Sequence, residues 1–225
     1  MQLYIGNKNY SSWSLRPWLL MRHGGIEFEE IKLRLAFDAH SPFKEALSKL
    51  APTGKVPLLV DDGLAIWDTL AIAEYVAERF PHLQLWPAQR PHRARARSLC
   101  AEMHSGFQAL RDSFPMNIEA SLPEVGQRLL RESVAASHDL ARVVQMWSAQ
   151  LDACGGPFLF GAFSIADAYF APVCTRIRTY ALPVNPAVAG YVERVFALPP
   201  MQAWVRDALL ENDFLDFDEP YRLHR

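Results

Sequence analysis

Strand-forming sequence stops at Pro81. Before that point short apolar runs and turn signals alternate with helix-like segments, whereas beyond it the apolar spacing is helical throughout, and Pro81, Pro87 and Pro91 punctuate the change. The chain therefore reads as an α/β domain over residues 1–81, a linker over 82–90 and an all-α domain over 91–225. A length of 225 residues accommodates two small cores.

Within the first part, Gln2 to Ile5 is strand-like, Gly6 to Tyr10 is a polar turn, and Ser11-Ser12-Trp13-Ser14 leads into a helix carrying Arg16, Pro17, Leu19 and Leu20. His23-Gly24-Gly25 ends that helix, since glycine takes a left-handed helix end without a Cβ penalty. Glu27 to Leu35 predicts a second strand, and Ser41-Pro42 opens a helix over Phe43 to Leu50. Lys55 to Val60 predicts a third strand, with Pro57 near its start because proline cannot donate to a sheet ladder. Asp61-Asp62-Gly63 signals a hairpin to Leu64–Trp67, and Asp68-Thr69 begins a helix that Pro81 stops. Two strand-helix crossovers followed by a hairpin give a mixed four-stranded sheet with helices on both faces.

The second part predicts helices over Arg93–Ser113, Glu124–Ala153, Ile165–Arg178, Ala187–Phe196 and Met201–Leu210. Asp213 to Arg225 reads as a tail laid over the surface.

A formal net charge of −2 gives no general electrostatic reason to bind nucleic acid or an anionic membrane. The arginines at 90, 93, 95 and 97 read as a solvated helix face. No apolar run approaches the ~20 residues of a membrane-spanning helix, and the N-terminus lacks a basic, then apolar, cleavable leader. Cys100, Cys154 and Cys174 include no CxxC pair, so neither a disulfide framework nor a zinc site is suggested, and a reducing cytoplasm is the expected compartment. Histidines 82, 92 and 104 lack ligand spacing, and no metal is expected.

Three hydroxyls crowd the first helix entrance, Ser11, Ser12 and Ser14. One explanation is capping of orphan N–H groups, with Pro17 tolerated nearby. The other is a site where a hydroxyl and the positive end of the helix dipole meet an anion.

In order and spacing the chain resembles the cytosolic glutathione S-transferases. The landmarks are Ser11-Ser12-Trp13-Ser14-Leu15-Arg16, Lys55-Val56-Pro57, Asp68-Thr69 and Ser164-Ile165-Ala166-Asp167. The resemblance implies a thioredoxin-like N-terminal domain, a helical C-terminal domain and a homodimer. It is nearest to the zeta-like bacterial members, whose SSCS-x-R segment matches here with Trp13 in place of cysteine. Matched by residue, Ser11 takes the position of the thiol-activating serine, with Ser12 as its rival and Tyr4 as an alternative. Lys55-Val56-Pro57 resembles the cis-proline segment that pairs with the glutathione backbone. Lys55 and His40 are candidates for the glycyl carboxylate, and Asp68 and Thr69 for the γ-glutamyl group, although either could simply cap a helix.

Ser164 and Asp167 resemble the family's capping motif. The resemblance implies a cleft between the domains for a small hydrophobic electrophile, lined by Trp13, His104, Phe107, Gln108 and Arg111, with Met116 beyond. Phe107 equally fits a helical core stripe with Leu99, Met103 and Leu110. The implied activity is conjugation of glutathione, the co-substrate. Isomerisation, peroxide reduction or dehalogenation on the same site remains open, as does a non-catalytic scaffold. The lack of cysteine at positions 11–14 argues against disulfide exchange by an enzyme thiol.

Overall fold

A computed structural model describes residues 1–225. Four strands, β1 (Gln2–Ile5), β2 (Glu29–Lys32), β3 (Leu58–Asp61) and β4 (Leu64–Trp67), form one sheet in the order β2-β1-β3-β4. β1 pairs with β2 in parallel, Tyr4 opposite Ile31, and with β3 antiparallel, Tyr4 opposite Leu58. The β3–β4 hairpin turns on Asp62 and Gly63, both at positive φ (48° and 83°), which an Asp-Gly pair adopts readily.

Three helices belong to this region: α1 (Ser12–His23), α2 (Pro42–Ser48) and α3 (Thr69–Arg79). After it come α4 (Arg90–Ser105), α5 (Gln108–Ser113), α6 (Pro123–Glu132), α7 (Val134–Cys154), α8 (Ile165–Thr179), α9 (Pro186–Ala197) and α10 (Pro199–Leu210). This thioredoxin-like sheet followed by a helical region matches the expected fold class. None of the helices is long and apolar enough to cross a membrane. Helix α1 packs on α3, α8 and α10, so one apolar cluster runs from Leu3 and Ile5 through Leu19 to Phe170, Trp147 and Trp204.

Four elements depart clearly from their predicted extents, two of them through contacts distant in sequence and two through local chemistry. The strand expected over residues 27–35 is confined to β2, because Leu33 N–H makes the last bond to Ile5 (2.9 Å) and Leu35 N–H turns to Asn7 Oδ1 (2.8 Å). β3 begins at Leu58, beyond Pro57, which has no N–H for the ladder. The helix expected over 93–113 breaks at Gly106 and Phe107, the latter at φ 56°; Asp139 of α7 accepts the Leu110 N–H (2.9 Å) and so supports a fresh start for α5. The helix expected over 124–153 breaks at Ser133, whose hydroxyl accepts Ala136 N–H (3.2 Å).

The turn between β1 and α1 is held from the far end of the chain. Glu211 accepts the N–H groups of Lys8 (2.8 Å) and Asn9 (3.3 Å). Lys8 is buried, its ammonium bonded to Asp207 (2.7 Å) and Glu30 (2.8 Å) and lying against Trp18 and Trp204. The tail is anchored where Tyr10 donates to Glu219 (2.7 Å) and Leu215 is buried.

The Ser164/Asp167 pair caps α8. Asp167 Oδ2 accepts the N–H (2.9 Å) and hydroxyl (3.0 Å) of Ser164, and Oδ1 accepts Leu159 N–H and the Tyr191 hydroxyl (both 3.1 Å). Burial pushes the Asp167 carboxyl up to about 6. Asp167→Ala orphans these donors at once and should cost about 3–5 kcal/mol in urea unfolding, with Asp167→Asn costing less. A loss below ~1 kcal/mol for Asp167→Ala would refute the capping role.

Candidate functional site

Ser11 stands at the N-cap of α1, but its side chain does not cap the helix. Its N–H is turned back to Asn7 O (2.8 Å), as that of Ser12 is to Tyr10 O (2.9 Å). The Ser11 and Ser14 hydroxyls lie 2.7 Å apart, and Ser14 Oγ accepts the Gly6 N–H (3.1 Å). Ser14 is fully buried beneath Ser11, so a hydrogen-bond chain runs from the end of β1 through Ser14 to Ser11. Arg16 is also buried; its guanidinium stacks between Trp13 (4.0 Å) and Tyr169 (4.4 Å), its Nε donates to Tyr169 O (3.1 Å), and burial pulls its pKa down to about 10.

Ser11 opens onto the larger of two adjoining cavities, about 510 Å³ and about 320 Å³, which share Trp13, Lys55 and Val56 as walls. The smaller one gathers Pro57, Asp68, Thr69 and His104 from three separate stretches. The Val56–Pro57 peptide is cis. Val56 N–H and C=O make no hydrogen bond within the protein, so this backbone offers an open donor and acceptor. Asp68, at φ 76°, turns the chain into α3 and accepts Leu70 N–H on Oδ1 (2.8 Å). The Thr69 hydroxyl meets the Tyr169 hydroxyl (2.8 Å), which meets His104 Nδ1 (2.7 Å); His104 Nε2 lies 3.4 Å from Asp68 Oδ2. Burial pushes the Tyr169 phenol up to about 12, so it keeps its proton. Lys55 is exposed at the rim.

The larger cavity is lined by Tyr10, Ser11, Ser12, Phe37, Phe43, Gln108, Arg111 and Met116. It is not uniformly apolar, since Lys44, Arg111, Asp112, Arg176 and Asp218 also line it. Arg176 is buried and donates to Phe114 O (2.7 Å) and Pro172 O (3.0 Å), and burial lowers its pKa to about 9. Burial raises Asp218 to about 6.

The structure thus brings Ser11, Trp13, Lys55, Val56, Asp68, Thr69, Gln108 and Arg111 around two connected cavities. Three expected residues fall elsewhere. His104 faces the smaller cavity with Asp68 and not the electrophile side, because α4 ends beside the α3 entrance. Phe107 is buried in the core and lines neither cavity, its left-handed backbone turning the ring inward. His40 lies beside Lys44 and Glu45, outside both. Sequence reasoning missed Tyr169 and Arg176, which sit among apolar residues of α8 and carry no spacing signal. The S-x-x-D cap just before them fixes where α8 starts and so where both residues point.

Ser14→Ala would leave the buried Gly6 N–H without its acceptor, an expected loss of about 1–3 kcal/mol by thermal or urea unfolding. A change under ~0.5 kcal/mol would mean that the Gly6–Ser14 bond does not hold the turn.

The chain is similar to several known proteins. The family model for the glutathione S-transferase N-terminal domain matches residues 10–79, and that for the C-terminal domain matches residues 102–194. The chain is 28% identical to maleylacetoacetate isomerase of Rattus norvegicus over 82% of this chain and 81% of that one. It is also 27% identical to a stringent starvation protein A homolog of Histophilus somni over 68% of each chain. Among solved structures it resembles a glutathione transferase homolog from Burkholderia gl BGR1 with bound glutathione, at 27% identity and a TM-score of 0.68, covering 93% of this chain and 98% of that one.

Proposed function

Since the chain belongs to the glutathione S-transferase family, we propose that it is a glutathione-dependent transferase in which Ser11 stabilises the glutathione thiolate for attack on a small electrophile. The observation that carries this reading is the adjacency of two features: the unpaired Val56 backbone in the wall common to both cavities, and the Ser11 hydroxyl at the mouth of the larger one. An extended tripeptide laid along Val56 pairs its backbone there as an added strand. Lys55 then suits its glycyl carboxylate, while Asp68 and the α3 N-terminus suit the γ-glutamyl ammonium and carboxylate.

A free thiol of pKa about 8.5 is only a few per cent thiolate at pH 7. Lowering that pKa by about two units requires roughly 2.7 kcal/mol of differential stabilisation. The serine pair is suited to supply part of it: Ser14 Oγ accepts both the Gly6 N–H and the Ser11 hydroxyl, which fixes the Ser11 side chain, and Ser11 turns its proton from Ser14 to the sulfur when the thiolate binds. The helix dipole adds in the same sense. Ser11 is a donor here, and the sulfur is the nucleophile.

The electrophile takes the larger cavity, where Phe37, Phe43 and Met116 offer apolar surface and Arg111 and Arg176 offer donors to a polar substituent or departing group. The likeness to maleylacetoacetate isomerase keeps isomerisation on the same thiolate as a second reading. Family membership supports a homodimer, and the three free cysteines suit a reducing cytoplasm.

The test is a kinetic comparison using 1-chloro-2,4-dinitrobenzene. Ser11→Ala should lower kcat about 10²-fold, the usual loss for one donor to a developing anion, with little change in the KM for glutathione. Asp68→Ala should chiefly raise that KM. Equal effects of Ser11→Ala and Ser12→Ala would overturn the assignment of Ser11. Absence of any glutathione binding would favour a non-catalytic scaffold.

A further inference from the structure

Resting on the glutathione reading above, we propose that His104 is a positioning residue that sets the direction of the hydrogen-bond chain ending on Thr69, so that the γ-glutamyl carboxylate binds with uptake of a proton by the imidazole. Three contacts link these groups: Asp68 Oδ2 to His104 Nε2 (3.4 Å), His104 Nδ1 to the Tyr169 hydroxyl (2.7 Å), and that hydroxyl to Thr69 Oγ1 (2.8 Å).

Consider first the neutral imidazole. Its single proton belongs on Nε2, because the alternative tautomer turns a lone pair towards the Asp68 carboxylate. Nδ1 is then an acceptor and takes the Tyr169 proton. The Tyr169 oxygen in turn takes the Thr69 proton, and the Thr69 hydroxyl has only lone pairs left for a ligand. Thr69 in this state repels a carboxylate. When His104 is protonated every bond reverses: Nδ1–H donates to Tyr169, Tyr169 donates to Thr69, and the Thr69 proton is free for the anion. Binding a carboxylate at Thr69 therefore favours the charged imidazole, and by linkage affinity falls as pH rises.

The neighbouring charges leave His104 as the group that changes. Asp68 lies on the open side of His104 at the α3 entrance, where its carboxylate faces the ligand ammonium. Lys55 in the same cavity and Arg16 of α1, stacked on the far face of Tyr169, are already cationic. Tyr169 holds its proton. Cys100, one turn back on α4, also stays protonated, its pKa raised by burial. His104 itself is 33% exposed, so a proton can reach it from solvent.

The test is isothermal titration of S-methylglutathione, which has no ionisable thiol, into the full chain at pH 7.5 in phosphate and in Tris. The difference in apparent enthalpy between these buffers reports protons taken up. Wild type should take up a proton on binding, and its Kd should rise with pH by up to about tenfold per unit. His104→Gln and Tyr169→Phe should each abolish the uptake, whereas Ser11→Ala should retain it. Should the partly exposed His104 position tolerate change better than buried Tyr169, His104→Gln alone decides the matter. Wild-type binding without proton uptake, or uptake that survives His104→Gln, overturns the proposal while leaving the glutathione reading intact. No binding of S-methylglutathione overturns both.

Discussion

The buried carboxylate of Glu211 holds the turn on which the candidate site is built. Two consecutive N–H groups, of Lys8 and Asn9, point at it, and Lys32 lies against the same oxygen as Lys8 N–H (3.1 Å). Around this anchor Lys8 is enclosed between two indoles and two carboxylates, and Trp204 Nε1 donates to Lys8 O (2.9 Å). Each charge in the cluster has an opposite partner, which a buried ion needs if it is not to destabilise the fold. The consequence is geometric. Ser11 follows this turn directly, so α10 and the tail, not the sheet alone, fix where its hydroxyl sits.

The same logic continues across the cleft. Trp13 leaves the α1 entrance between the two cavities, with Arg16 stacked on one side and His104 at its edge, ring centroids 5.3 Å apart. On the sheet side the groups available to a ligand are the Val56 backbone, Lys44, Lys55, Asp68 and hydroxyls; on the helical side they include Gln108, Arg111, Arg176 and His104. Arg176 illustrates the contrast with an ordinary core residue, since its charge is buried against carbonyl oxygens and no carboxylate bonds to it.

Much of this organisation was legible in the sequence where it rests on local rules. Asp62-Gly63 announces a turn whose positive φ angles these residues tolerate, and Ser164 with Asp167 announces a helix start. The order of strands and helices up to Pro81 follows from periodicity and punctuation. Local rules fail where a partner lies far along the chain. Nothing near Leu110 signals that Asp139 supports its helix start; the break at Ser133 is a separate case, a local serine cap with no glycine or proline to mark it. Phe107 fitted the cavity and the core equally well until its backbone angle decided for the core. His104 and Tyr169 meet Asp68 and Thr69 only because α1 packs against both α3 and α8, and α8 carries α4, an arrangement with no counterpart in spacing.

The account turns on whether Ser11 stabilises a thiolate. The most direct measurement is the ultraviolet absorbance of bound glutathione thiolate, titrated across pH with excess protein, for the wild-type chain and for Ser11→Ala. The account predicts a bound-thiol pKa depressed by about two units in the wild type and returned towards its ordinary value in the variant. An undepressed pKa in the wild type, or the same depression in both proteins, would contradict it.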